Sequence, residues 1–200
     1  MDTLTSKVVL LGDGSVGKTS IKKRFVGLQF EGTYMATMGA DFTIKEHKYH
    51  THDGKDIIVK FMIWDLAGQT RYNAVRPHYY LGSHSALLVY DVTNMHSVDS
   101  IMNWITEFKK SIKHSVPITL VGNKIDLRDD NKFPGLTYED GKKIAQKVND
   151  LIIKLDSGPG NYPYYKVDFF ETSAKTGVNI DKAFDSLSEN LYKRYLAENS

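Results

Sequence analysis

The sequence predicts an α/β fold with a six-stranded, mixed but mainly parallel sheet flanked by five helices. Two observations carry this. Short apolar runs alternate with stretches of helical periodicity along the chain, the pattern of strands joined by crossover helices. Several of the apolar runs also end directly in polar, Gly-, Asn- or Asp-containing turns, as buried parallel strands do. At 200 residues the chain has the size of one ordinary domain, 1–200, with enough length to bury a core.

Val8 to Leu11 is the first strand, and Ile21 to Phe25 lies in the helix that follows it. Gly27 to Gly39 has no clear period. Asp41 to His50 and Asp56 to Trp64 form a hairpin around His52-Asp53-Gly54-Lys55, where Asp-Gly is a strong turn signal. Its second arm places Ile57, Val59, Phe61 and Ile63 on one face. Ser85 to Tyr90 and Ile118 to Val121 read as buried strands. Between them Val98, Ile101, Met102, Ile105, Phe108 and Ile112 recur at helical spacing. Thr137 and Asp140 are spaced to cap a long fourth helix with an apolar stripe of Ile144, Ala145, Val148, Leu151, Ile152 and Leu155. Gly158-Pro159-Gly160 and Pro163 end it. Val167 to Glu171 is the last strand. Ile180, Ala183, Phe184, Leu187 and Leu191 mark the last helix.

The chemistry starts at Gly12 to Ser20, GDGSVGKTS, set between a strand and a helix. Gly12, Gly17, Lys18 and Thr19 fit G-x-x-x-x-G-K-[ST]. Such a loop turns its backbone N–H groups toward an anion, and the helix start adds a positive end. Lys18 can sit between two phosphates, and the Thr19 hydroxyl can ligate a bridging Mg²⁺. Asp65, at the end of the third strand, can hold Mg²⁺ through water, and Gly68 lets its amide approach a terminal phosphate. Asn123-Lys124-Ile125-Asp126 closes the fifth strand. A carboxylate there can accept from both ring and exocyclic donors of guanine, which adenine does not match. Ser173-Ala174-Lys175 closes the sixth and offers backbone donors to the guanine carbonyl. The ligand expected is therefore GTP or GDP with Mg²⁺.

GDGSVGKTS, ATMGADF (36–42), WDLAGQTRY (64–72), GNKID (122–126) and ETSAK (171–175) together resemble the Ras-superfamily small GTPases, the Rab branch in particular. The resemblance implies the P-loop GTPase fold and a switch that binds GTP or GDP and slowly hydrolyses GTP to GDP and phosphate, in trafficking or signalling. It implies a nucleotide site of Gly14, Ser15, Val16, Gly17, Lys18, Thr19, Ser20, Phe30, Tyr34, Thr37, Gly68, Asn123, Lys124, Asp126, Ser173, Ala174 and Lys175. Phe30 lies against the base, Thr37 joins Thr19 and Asp65 at the metal, and Gln69 orients the attacking water beside Lys18. Partners of such a switch are a GTPase-activating protein, an exchange factor and effectors, meeting residues 29–42 and 65–80.

Three features depart from the family. Leu66, Thr70 and Tyr72 stand where the Rab pattern has Thr, Glu and Phe. Asp126 and Ser173 are 47 positions apart, longer than the family spacing, with the excess around 151–167. There Tyr162, Tyr164 and Tyr165 either form a partner surface or pack on their own helix. The chain also has no cysteine, which leaves no prenylation site and no disulfide or thiol chemistry. Residues 29–39 contain no Arg or Lys, so Arg71 is the nearest cationic candidate in cis. A net charge of +2 makes no case for nucleic acid. No stretch nears the ~18 apolar residues of a membrane span, and the N-terminus carries no signal peptide or myristoylation pattern. The expectation is a cytoplasmic monomer. Two other readings stay open: a nucleotide-binding module that does not hydrolyse, and a P-loop kinase or ATPase.

Overall fold

Parallel pairing starts well before the first apolar run. Strand β1 spans Asp2–Leu11, and its polar first half is held by β3 (Asp56–Leu66), with Asp2 opposite Ile57 and Leu10 opposite Asp65. The backbone ladder to β3 pairs that half along one side, Leu4 packs against the core, and the Ser6 and Ser85 hydroxyls meet at 3.1 Å. The computed structural model describes residues 2–30, 36–69, 72–112, 114–128, 135–156 and 165–199. The remaining strands are β2 (Ala40–His50), β4 (Ser85–Asp91), β5 (Ile118–Asn123) and β6 (Asp168–Thr172). They join in the order β2-β3-β1-β4-β5-β6, and among the described residues only the β2–β3 hairpin is antiparallel. The Asp-Gly turn is as expected. Gly54 adopts φ 82°, and the Thr51 and Lys55 backbones close the turn at 2.8 Å.

Helices α1 (Lys18–Phe25), α2 (Arg76–Tyr80), α3 (Met95–Asp99), α4 (Ile101–Ser111), α5 (Tyr138–Leu155) and α6 (Ile180–Glu198) cover the two faces. The helix read from Val98 to Ile112 is divided: α3 and α4 meet at Ser100, whose hydroxyl donates to the His96 carbonyl at 3.2 Å. With the divided segment counted once, five helices flank the sheet.

Successive residues of each central strand point to opposite faces, so the sheet serves two cores. Val9, Leu11, Leu88, Tyr90 and Leu120 pack under α4 and α5 with Ile105, Phe108 and Val148. Val8, Leu10, Leu87, Val89 and Val121 pack under α1 and α6 with Ile21, Phe25, Phe184 and Leu187. Each such side chain stabilises the fold by roughly 1.5–3 kcal/mol. This double anchoring fixes where the strand ends, and the loops on them, stand.

On α5, Ile144, Ala145, Val148 and Ile152 are buried, while Leu155 at the last turn is exposed. Gly158 to Pro163, and with them Tyr162 and Tyr164, lie outside the described residues. Tyr165 is buried. No helix among the described residues is long and apolar enough to cross a membrane. The Thr137–Asp140 capping box forms in full: Thr137 Oγ1 accepts from the Asp140 amide at 3.2 Å, and Asp140 Oδ2 from the Thr137 amide at 3.1 Å. Replacing Thr137 with Ala removes one side of it. Chemical denaturation should show a loss of about 1 kcal/mol with an unchanged m-value.

Candidate functional site

Four loops leave the C-terminal ends of β1, β3, β5 and β6, the edge at which open α/β sheets bind ligands. They enclose one cavity of about 460 Å³. The β1 loop reaches it through two tight approaches. At Gly12, φ 133°, an added Cβ would stand 2.2 Å from the Val89 carbonyl oxygen of β4. At Gly17, φ 104°, it would stand 2.3 Å from Asn123 Nδ2. Only glycine fits either position. The loop curls around the Lys18 ammonium, which donates to the Gly12 carbonyl at 2.6 Å and the Asp13 carbonyl at 2.7 Å. Burial pulls the Lys18 pKa down to about 8, although Asp65 and Asp13 oppose this.

Asn123 fixes the loop from below. Its Nδ2 donates to the Val16 carbonyl at 2.9 Å, and its Oδ1 accepts from the Ala174 amide and the Thr172 hydroxyl, both at 3.1 Å. Beside it, Asp126 Oδ1 accepts from Ser173 Oγ at 2.5 Å. The short 3₁₀ turn Ile125–Leu127 follows Lys124, held at φ 72° with its ammonium 2.6 Å from Asp91 Oδ2. Asp126 and Lys124 thus face the cavity with fixed bases, alongside Leu127 and Phe30.

The opposite end gathers oxygens. Thr19 Oγ1 donates to Asp65 Oδ2 at 2.5 Å and lies 2.9 Å from Thr37 Oγ1, itself 3.4 Å from the same carboxylate oxygen. Asp65 is fully buried and its Oδ1 has no hydrogen-bond partner. Burial raises its carboxyl pKa, while the Thr19 hydroxyl and the Lys18 and Lys22 ammoniums pull the other way. Two hydroxyls and a carboxylate with a spare buried lone pair are hard donors, a set that fits Mg²⁺.

Gly68 carries the second loop against the first. A Cβ there would fall 2.4 Å from the Asp13 carbonyl carbon and the Gly14 nitrogen. Next to it, Gln69 lines the cavity, and its backbone carbonyl accepts from Arg76 Nη1 at 3.4 Å. Arg76 is buried, stacks 4.1 Å from the Trp104 ring, and donates to both Glu107 oxygens at 2.9 and 2.8 Å. Burial would raise the Glu107 carboxyl, but hydrogen bonds from Arg76 and Tyr80 hold it below the ordinary value. Trp104 Nε1 in turn donates to Asp13 Oδ1 at 2.7 Å.

Of the residues singled out in the sequence, Gly14, Ser15, Gly17, Lys18, Thr19, Ser20, Phe30, Thr37, Gly68, Gln69, Asn123, Lys124, Asp126, Ala174 and Lys175 line this one cavity. Val16, Asp65 and Ser173 are buried behind it. Tyr34 and Arg71 lie outside the described residues. Leu66, one of the departures, is buried and also lines the cavity. Sequence reasoning missed the Asp13–Trp104–Arg76–Glu107 chain and Lys22. Lys22 carried a signal, three positions after Thr19 on one helix face. Arg76 and Glu107 carried none, being far apart in the chain.

A family model described as Ras family matches residues 7–193. The Ras-related protein Rab-26 of Homo sapiens is 39% identical over 189 residues, covering 94% of this chain and 64% of that protein. This chain therefore spans less than two thirds of that relative's length. The GTP-binding protein YPT53 of Saccharomyces cerevisiae is 39% identical over 192 residues, 94% of this chain and 77% of its own. The human Ras-related protein Rab-37 is 39% identical over 192 residues, 96% and 75%.

Asn123 is the testable centre of this geometry. Asn123→Ala strands the Val16 carbonyl and the Ala174 amide, each costing about 1–3 kcal/mol when buried and unpaired. Thermal unfolding of the nucleotide-free protein should report a loss of about 3 kcal/mol.

Proposed function

Because this chain belongs to the Ras family, we propose that it is a guanine-nucleotide switch that binds GTP or GDP with Mg²⁺ and slowly hydrolyses GTP. The single observation that carries this is the part-buried Ser173–Asp126 hydrogen bond. It presents a carboxylate, fixed in direction, to the same cavity that the Lys18 loop enters. A carboxylate so aimed pairs with the two adjacent donors of guanine, and the glycine loop and Lys18 take the phosphates.

Lys18 turns from the Gly12 and Asp13 carbonyls to the β- and γ-phosphates, and the loop amides complete the cradle. Thr19, Thr37 and Asp65 would hold Mg²⁺, which supplies charge neutralisation between those phosphates. Gln69 orients the attacking water. Thr37 and the Gly68 amide contact the γ-phosphate, so hydrolysis removes the group that tethers both loops.

The regulators and effectors of such a switch meet residues 29–42 and 65–80. Phe42, Trp64 and Tyr79 support this: their rings stand 5.0 and 5.6 Å apart in series from the hairpin to α2, with Met38, Phe42 and Ile44 exposed. The role proposed for this chain is in trafficking or signalling, in the cytoplasm and as a monomer.

Base selection is tested by Asp126→Asn. GTP affinity should fall at least a hundredfold, and xanthosine triphosphate should bind better than GTP, since an amide can donate to the extra carbonyl. Unchanged GTP affinity would remove the guanine assignment.

Hydrolysis should be slow. Arg76, the arginine that reaches Gln69, has two donors and its ring-stacking face committed to Glu107 and Trp104. It is not free to act as the arginine finger, which is worth roughly 10³–10⁵ in rate. Single-turnover assays should give a rate well below about one per second, nearer ~10⁻⁴ per second. Gln69→Leu should lower the rate further and leave GTP binding intact, whereas a purely binding module would show no hydrolysis to lower.

A further inference from the structure

One turn beyond Thr19, Lys22 sends its ammonium under the same oxygen cluster. The side chain is 4% exposed; its Nζ pairs with Asp41 Oδ2 at the start of β2 and lies 4.0 Å from Asp65 Oδ2. That oxygen is the one that already accepts from Thr19 and stands near Thr37. The Asp41 side chain is 60% exposed. A lysine following ordinary solvation would reach outward past such a partner into water. Here the ammonium stays inside, between two carboxylates.

We propose that Lys22 is a built-in cation that weakens the Mg²⁺ site and so sets how readily nucleotide leaves, with Asp41 as the counter-charge that limits the effect. This rests on the switch reading above. Any cation held by Asp65 Oδ2 shares that oxygen with Lys22. Like charges about 5 Å apart at an effective dielectric near 20 repel strongly enough to cost at least about tenfold in affinity, even with most of the repulsion cancelled by a nearby anion. Release of the ion is then easier because Lys22 leaves Asp65 compensated. A fully buried carboxylate with fewer cations around it would pay more of its desolvation cost when the ion leaves.

The competing role for the pair is a strut that ties α1 to β2. The two roles differ in sign. A strut predicts that removing either partner loosens the flank of the first switch and weakens Mg²⁺ binding both times. A field effect predicts opposite shifts. The test uses the full chain loaded with a fluorescent GDP, chased with unlabelled GDP over a series of free Mg²⁺ concentrations. Lys22→Met, close in volume, should move the midpoint at which Mg²⁺ slows release to at least about tenfold lower concentration. Lys22→Gln should shift it in the same direction and serves if the Met variant is unstable. Asp41→Asn should move it the other way, by about threefold or more. Shifts of the same sign in the Lys22 and Asp41 variants, or an unmoved Lys22→Met midpoint, overturn the inference alone. Wild-type release indifferent to Mg²⁺ overturns the metal assignment and this inference with it. Failure to load GDP overturns the functional reading itself.

Discussion

The buried side chain of Asn123 is the constraint on which the rest of the site depends. One amide group joins the first strand's loop, at the Val16 carbonyl, to the end of the sixth strand, at the Ala174 amide and the Thr172 hydroxyl. Val16 and Ala174 are 158 positions apart, and this amide fixes where their two loops stand around the one cavity. Hydrophobic packing places strands but is not directional. A two-sided hydrogen bond is, and burial makes losing it expensive. The glycine at 17 follows from the same contact, since a side chain there would collide with Asn123 Nδ2 at 2.3 Å.

A second constraint is charge. Lys18, Lys22, Asp65 and Asp41 cluster at the β1–β3 end of the cavity, and three of the four are buried. Buried charges persist only when paired or hydrogen-bonded. Here each ammonium has carbonyl or carboxylate partners and Asp65 has a hydroxyl. The cluster is balanced without being saturated: Asp65 Oδ1 keeps a free lone pair. A site that must admit and release a charged ligand needs such partial compensation, because a fully satisfied network would resist the exchange.

The sequence made the sheet, its helices and most of the cavity legible for one reason. Parallel α/β folds write themselves as alternating periodicities, and phosphate loops demand glycines at fixed spacing. What stayed hidden follows from the same logic. The first six residues of β1 look polar, yet β3 recruits them through backbone bonds that no side-chain pattern records. The division at Ser100 leaves no trace in the apolar spacing, which runs through it from Val98 to Ile112. Arg76 and Glu107 are unremarkable charges in the sequence and become a buried pair only because α2 and α4 meet. Local pattern reveals what local physics requires, and long-range pairing between charged side chains is not local.

That hidden pair completes the coupling between the two halves of the phosphate end. Gly68 touches the Asp13–Gly14 backbone directly, so the loop after β3 and the loop after β1 cannot shift independently on that side. On the other side Asp13 binds Trp104, Trp104 stacks on Arg76, and Arg76 holds the Gln69 carbonyl. Gln69 is thus gripped between a steric contact and an electrostatic one, both ending on Asp13. The steric contact tolerates no side chain, and the electrostatic one has a 3.4 Å last link, long enough to be its weakest step. The loop is thus pinned sterically at Gly68 and tied at the next residue through its backbone carbonyl.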